Sequence, residues 1–529
     1  MRFSVLAQVG ACCALLLGIA ADSAIAQRME PVPARRADEG AGPYAKLVIR
    51  GATLIDGSGA PPKGPVDIVI EGNRITDVRG AGTPGLPVPA NREPRDATQE
   101  IDATGMFVLP GFIDTHGHNG DAGKAPQPSY GYKLWLAHGV TSVRGVPIHF
   151  GPESIADKRR SADNSIVAPR IFAYAVLGDG GNIGRLDTPE KARAWVRWAA
   201  AQGYDGIKLF NDTSRPVTAA ALDEAKKLKL GSVAHLGQGG VAEVNARIAG
   251  ELGLGTVTHF YGHFESLLRE GRLPKYSNDY NMFDEQDRFY EIARLADQIV
   301  EPGGPEWKAY LEEQLENGVI FNPTLNIYSA SRDLMRARNA DWHEKYTLPS
   351  LYRFFAPSRV NHGSYWFDWT TEKEVAWRRF YNPYMRLMND YKNMGGIVTV
   401  GSDPGYIYQS WGFPYIQELE MLQEAGFTPL ETVVAATRNG AYEIYRPKGI
   451  EAPIGMVRPG MLADLVIVPE NPLHNFKTLY GTGFERLDKN GKVERVGGVR
   501  WTIKDGIVYD AHALLADVAA MVAAQKGAQ

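Results

Sequence analysis

Eight short apolar runs recur through the middle of the chain, with helix-forming segments between most of them. That alternation constrains the fold more than any other feature. The runs are VLPGFID (108–114), TSVRGV (141–146), RIFAYAV (170–176), GIKLF (206–210), GSVAHL (231–236), TVTHFY (256–261), VIFNPT (319–324) and IVTVGSD (397–403). Short apolar strands alternating with helices predict parallel pairing, and eight of them predict a closed α/β barrel. An open doubly wound sheet is the structural alternative, but no glycine-rich dinucleotide fingerprint follows the first strand. Gly178-Asp179-Gly180-Gly181 has the wrong spacing and opens no helix. The intervening helices carry their own signals. Thr188-Pro189 precedes a segment with Ala192, Trp195, Val196 and Ala199 on one face, Thr218 is placed to cap the next helix, and Thr428-Pro429-Leu430-Glu431 reads as a capping box.

The ends have a different texture. KLVIRGATLID and VDIVIEGNRITDVRG alternate as strands, with a hairpin turn at Glu71-Gly72-Asn73. ADLVIVPE and VRWTIKDGIVYDA repeat the pattern near the C-terminus, with a turn at Asp505-Gly506. Residues 46–109 and 455–512 are therefore predicted to form one small β-domain together. The barrel takes 110–454, and a C-terminal helix takes 513–529. Residues 27–45, rich in Pro, Arg and Gly, read as a flexible leader. Residues 1–26 read as a signal peptide, with Arg2, an apolar stretch from about Val5 to Ala21, and Ala24-Ile25-Ala26 as the small-x-small cleavage pattern. The expected location is thus secreted or periplasmic. Cys12 stands too early in the apolar run for a lipoprotein. Both cysteines, Cys12 and Cys13, fall inside this segment, so the mature chain would have no thiol, and any metal site must use nitrogen and oxygen ligands. A net charge of −4 gives no electrostatic reason to expect nucleic acid or an anionic membrane as partner. No later segment reads as a membrane span.

One connection is oversized. About 70 residues separate NPTL (322–325) from the eighth run, where a βα unit needs roughly 30. The surplus, about 326–392, is helical in pattern and rich in aromatics, among them Trp342, Tyr346, Phe354, Trp366, Trp377 and Tyr384. It predicts either an insertion with a core of its own or a wall over the barrel mouth, since both its ends lie at the face where barrel enzymes carry their sites.

The strand ends hold the chemistry. The first run leads into His116 and His118, two apart and so on one side of a strand. The fourth contains Lys208, costly if buried and charged. The fifth ends at His235, the sixth at His259 and the eighth at Asp403. Taken singly, each has an ordinary structural explanation. Together, four imidazoles, a carboxylate and an amine at the C-terminal ends of strands form a metal-site pattern.

Here the chain resembles the amidohydrolase superfamily, on PGFIDTHGH (110–118), Lys208, His235, His259, GSD (401–403), TPLETVVAATRNGA (428–441) and the glycine-led segment at 455–468. The look is nearest to the imidazolonepropionase-like and Xaa-Pro-dipeptidase-like branches. The resemblance implies a distorted (β/α)8 barrel with a composite β-sandwich domain. It implies two divalent ions, zinc foremost, one on His116, His118 and Asp403 and the other on His235 and His259. An N-carboxylated Lys208 and a hydroxide would bridge them, with Asp403 as general base and then acid. Tyr261 or His263 would steady the developing oxyanion, and Arg144 stands either as a substrate-carboxylate contact or as a buried ion pair. The implied reaction on a small molecule is hydrolysis of an amide C–N bond in a dipeptide or N-acyl amino acid. The alternatives are a lactone, carbamate or other ester on the same metals, and a non-catalytic binding protein, which would be expected to have broken ligands. Ring deamination, which usually runs on one metal without the strand lysine, is disfavoured by Lys208. A homo-oligomer stays open.

Overall fold

The structure is a computed structural model that describes residues 29–146, 152–210, 213–269, 273–359 and 363–528. The signal-peptide reading, with Cys12, Cys13 and cleavage near Ala26, lies outside the described residues.

Seven parallel strands follow one another in chain order around a barrel: Phe112–His118, Val140–Val146, Arg170–Val176, Gly206–Leu209, Gly231–Ala234, Thr256–Thr258 and Ile320–Asn322. The eighth run bridges the seam between the last and the first. Phe321 N donates to Ile397 O at 3.0 Å and Thr399 N to Phe321 O at 3.0 Å. On the other side Thr115 N donates to Val400 O and Asp403 N to His116 O, both at 2.9 Å. Seven predicted runs supply the barrel strands and the eighth closes the seam, although Val108, Leu109 and Pro110 at the head of the first run belong instead to a strand of the other sheet. The ring of backbone bonds leaves the C-terminal strand ends at one mouth.

The helices form where the local signals put them. Thr188 accepts from Lys191 N at 3.4 Å and opens Pro189–Gln202, whose Ala192, Trp195, Val196 and Ala199 are fully buried. Thr428 and Glu431 form the reciprocal capping box of Pro429–Val434. Thr218 is a correction: it lies inside helix Arg215–Lys227, whose N-cap is Ser214, and pairs with the Thr213 hydroxyl at 2.8 Å. Pro216 after Ser214 sets the earlier start, because its missing N–H costs nothing in a first turn.

The two terminal segments join in one continuous eight-stranded mixed sheet. Its order is Ile507–Asp510, Trp501–Lys504, Leu465–Val468, Phe107–Pro110, Leu47–Leu54, Lys63–Glu71 and Arg74–Gly80, with Gln99–Asp102 beside Leu47–Leu54. Period-two alternation sorts its residues. Leu465 and Ile467 enter a small core with Ile49, Ile68 and Val108, while Val466 and Val468 face the large core of the barrel. The sheet is therefore fastened to the barrel through its second face. Helix Ala511–Gly527 packs on the barrel helix Pro128–Ala137, with Lys133 bonded to Asp517 and Glu39.

The insertion divides in two. Its long helix, Thr371–Asn393, buries Trp377, Phe380, Tyr381, Tyr384 and Tyr391 at 0–1% exposure. Three of their hydroxyls donate to the backbone around the seventh strand: Tyr381 to Leu325 O, Tyr384 to Pro323 O and Tyr391 to Val319 O. This half is core. The stretch before it reaches the mouth, where Phe354 packs on Tyr406, and Phe355 and Trp366 pack on Tyr408. No helix among the described residues is long and apolar enough to cross a membrane.

Candidate metal centre

His116 and His118 close the first strand with their rings 5.2 Å apart. Asp403 stands between them. Its Oδ1 lies 3.5 Å from His116 Nε2 and 3.1 Å from His118 Nε2, and its Oδ2 lies 3.6 Å from His259 Nε2. One ligand atom from each of His116, His118 and Asp403 fits within a 4.8 Å span, close enough to enclose one ion. Lys208 Nζ is 3.2 Å from His116 Nε2. The His235 ring lies 4.6 Å from that of His259. The six residues gathered from four strand ends and the eighth run are thus brought to one place.

Electrostatics set them in the protonation states that a metal needs. Burial, and then the Lys208 cation, hold His116 and His118 below the usual imidazole range, and burial takes His259 down to about 3. Burial alone would raise the Asp403 carboxyl, but His116, His118 and His259 outweigh it and hold the group well below its ordinary value. Burial lowers the Lys208 ammonium to about 8 against the attraction of Asp403, with Arg144 adding to the drop. An amine poised there is partly neutral near physiological pH, the form that can react with carbon dioxide. Neutral imidazoles and an ionised carboxylate suit a divalent cation of the zinc, manganese or cobalt type. Around them, His259 Nδ1 meets Thr324 Oγ1 at 2.5 Å, fixing the ring.

Asp403 itself has a left-handed backbone, φ +46°, unfavourable for a residue with a side chain. Its neighbour Ser402 is held from both sides. Asp114 accepts from Ser402 N at 3.0 Å and from the Ser402 hydroxyl, and also from His116 N at 3.1 Å and Trp135 Nε1 at 2.9 Å. Asn326 Nδ2 donates to Ser402 O at 2.7 Å. Asn326 is placed in turn by Glu418, which accepts from Leu325 N at 2.9 Å and Asn326 N at 2.7 Å. Burial raises Asp114 to about 6 and Glu418 to about 8, against the hydrogen bonds they accept.

The three expected substrate contacts fare differently. Arg144 is 1% exposed, with its guanidinium bonded to Glu443. The ion-pair alternative is the one the structure shows, and the substrate-contact reading is corrected: a buried cation needs its counter-charge, and Glu443 supplies it. His263 is also corrected. It is fully buried, bonded through Nδ1 to Tyr310 and packed 4.3 Å from the Phe321 ring, behind the sixth and seventh strands rather than over the mouth. Tyr261 stays at the site. Its ring stacks on His235 at 4.4 Å and 22°, and its oxygen accepts from Tyr328 at 3.0 Å.

Sequence reasoning missed Asp114, Ser402, Asn326, Tyr328 and Phe210. Asp114 was findable: it shares the alternation of His116 and His118, and a carboxylate inside a buried strand needs partners.

A parallel barrel with a His-His-Asp cluster at its strand C-termini defines the class of this protein. No protein-family model matches the chain. It is 38% identical over 170 residues to an N-acyl-D-glutamate deacylase of Alcaligenes xylosoxydans xylosoxydans, covering 31% of this chain and 29% of that protein. It is 39% identical over 193 residues to an N-acyl-D-aspartate deacylase of the same organism, covering 34% of each. The chain thus matches about a third of the length of these curated relatives. A solved Xaa-Pro dipeptidase with methionine bound in its active site superposes with a TM-score of 0.56 at 19% identity, over 88% of this chain and 100% of that one, a likeness of fold. In sequence over about a third of its length, and in fold over most of it, the chain is similar to amidohydrolases.

Proposed function

We propose that this protein hydrolyses the amide C–N bond of a small molecule, a dipeptide or an N-acyl amino acid, at a site of two divalent ions. The observation that carries the reading is Asp403, whose two oxygens face different imidazole groups, His116 with His118 on one side and His259 on the other. His116, His118 and Asp403 would hold one ion, and His235 and His259, with an N-carboxylated Lys208, would hold a second. Zinc is the first choice for this donor set. When bound, such ions polarise the scissile carbonyl and lower the pKa of water.

The chain's own residues do the rest. Asp403 accepts a proton from the attacking water as its oxygen adds to the carbonyl carbon, then delivers it to the nitrogen as the C–N bond breaks. Held in one orientation through Ser402, it does not need to reorganise during the reaction. Tyr261 accepts from Tyr328, which leaves its own proton to donate to the developing oxyanion. The deacylase activity named for two relatives and the dipeptidase named for a fold neighbour support an amide over an ester. Secretion or export to the periplasm, on the strength of residues 1–26, belongs to the same reading.

The test is turnover of a panel of dipeptides, N-acyl amino acids and lactones by zinc-loaded protein. Hydrolysis of amides, abolished by chelation, is the expected result. Hydrolysis of lactones alone would overturn the amide assignment.

A further inference from the structure

The approach to the six ligand residues is narrow. His116, Lys208, His259 and Asp403 are buried, while His118 and His235 are partly exposed, so a substrate must arrive over those two imidazoles. Among the described residues, four rings other than the histidines pack against this cluster. Tyr261 and Tyr328 are each 4% exposed, with their hydroxyls bonded to one another. Tyr406, 6.0 Å from His118, carries the Lys124 ammonium 3.7 Å from its centre. The fourth is Phe210, directly after the fourth strand. It stands edge-on to His235 at 4.9 Å and 75°, with its centre 5.5 Å from Lys208 Nζ. It is 48% exposed.

A single exposed apolar side chain on a surface needs no explanation. Phe210 differs by position. It flanks the partly exposed His235, offers no polar atom, and leaves about half its surface uncovered beside the buried Lys208 and Tyr261. A phenyl ring is a large, rigid contact surface with only two rotatable bonds, and it recognises a flat apolar group by offset or edge-on packing.

We infer that Phe210 is a specificity-determining residue. It receives an aromatic ring carried within a bond or two of the scissile carbonyl, so the favoured substrates are amides with an aromatic group next to the bond that is cut. The inference rests on the amide-hydrolase reading for the nature of the bond, and on Phe210 alone for the nature of its neighbour.

Calorimetric titration of zinc-loaded full-length protein with benzohydroxamate and acetohydroxamate separates the two. Both probes offer the same metal-binding group and differ in the ring. The wild type is expected to bind the aromatic probe about tenfold more tightly, and Phe210→Ala to reduce that preference to about twofold or less. Phe210→Leu, which keeps bulk without the ring, should fall between, and it serves if the alanine variant folds poorly. Absence of a preference in the wild type, or a preference that survives Phe210→Ala, overturns the inference. Failure of the amide-hydrolase reading looks different: no amide is turned over, while the hydroxamate preference and its dependence on Phe210 persist.

Discussion

The two sides of the centre are built on opposite plans. On the Asp403 side, backbone and side chains are tied by a chain of buried hydrogen bonds from Asp114 through Ser402 and Asn326 to Glu418. On the His235 side, ring contacts predominate: Phe210, Tyr261 and His259 pack around the imidazole, and Phe210 is left half exposed. A proton-transferring carboxylate needs fixed orientation, and directional bonds in a dry site supply it. A recognition surface needs area and shape, which rings supply. Changes on the first side should therefore strike turnover, and changes on the second should strike preference.

The sharpest break is Asp403→Asn. The amide cannot take the proton, and kcat should fall by about a thousandfold or more in protein that still holds at least one metal ion. Steady-state kinetics beside elemental analysis checks this, and wild-type turnover in a metal-replete variant would remove Asp403 from proton transfer. Next is Lys208, which belongs to both sides. Lys208→Ala should lose metal and roughly a hundredfold or more in turnover, with partial rescue by added short carboxylic acids, because a carboxylate oxygen replaces the missing ligand. Lys208→Arg should not be rescued, and a fully active Lys208→Arg enzyme would eliminate the carboxylated lysine.

Smaller effects test the hydrogen-bonded side itself. Asn326→Ala frees the Ser402 carbonyl and loosens the left-handed backbone at Asp403. We expect kcat to drop by about tenfold with KM nearly unchanged, in line with one lost buried hydrogen bond. A rise in KM at constant kcat would place Asn326 on the recognition side and dissolve the contrast. The smallest effect is on stability against pH. Glu418 stands at about 8 when folded, against an ordinary 4.5. The folded chain therefore keeps a proton that the unfolded chain has released, so stability falls as pH rises from about 4.5 to about 8. Glu418→Gln should be less stable overall but should show a flatter slope, most visibly above about pH 7, where Asp114 and Glu265 contribute least, as read from denaturant midpoints at a series of pH values. An unchanged slope would mean that other groups produce it.

What was legible in the sequence and what was not follows the same division. The barrel could be read because each strand signals itself locally, by a short apolar run between helix caps, and the candidate ligand residues could be picked out because they fall at the ends of those runs. His116, His118, Lys208, His235, His259 and Asp403 needed no knowledge of who touches whom. The supporting bonds do need it. Asn326 and Ser402 are 76 residues apart, Asp114 and Ser402 are 288 apart, and Arg144 and Glu443 are 299 apart. Nothing local marks such pairs, which is why Arg144 stayed open between a substrate and a partner. His263 misled for a related reason. It follows His259 by only four residues, but Gly262, at φ +81°, redirects the chain into a short helix and sends the ring behind the barrel wall. The insertion was readable as helical and aromatic, but its split into a buried helix and a mouth-side stretch depends on which strands those rings meet.

The central claim is that these residues form a binuclear metal centre, and counting the ions tests it most directly. Elemental analysis of full-length protein, purified with zinc and bicarbonate present and then freed of loosely held metal, should return about two ions per chain. A value of one or none at full folding would contradict the account.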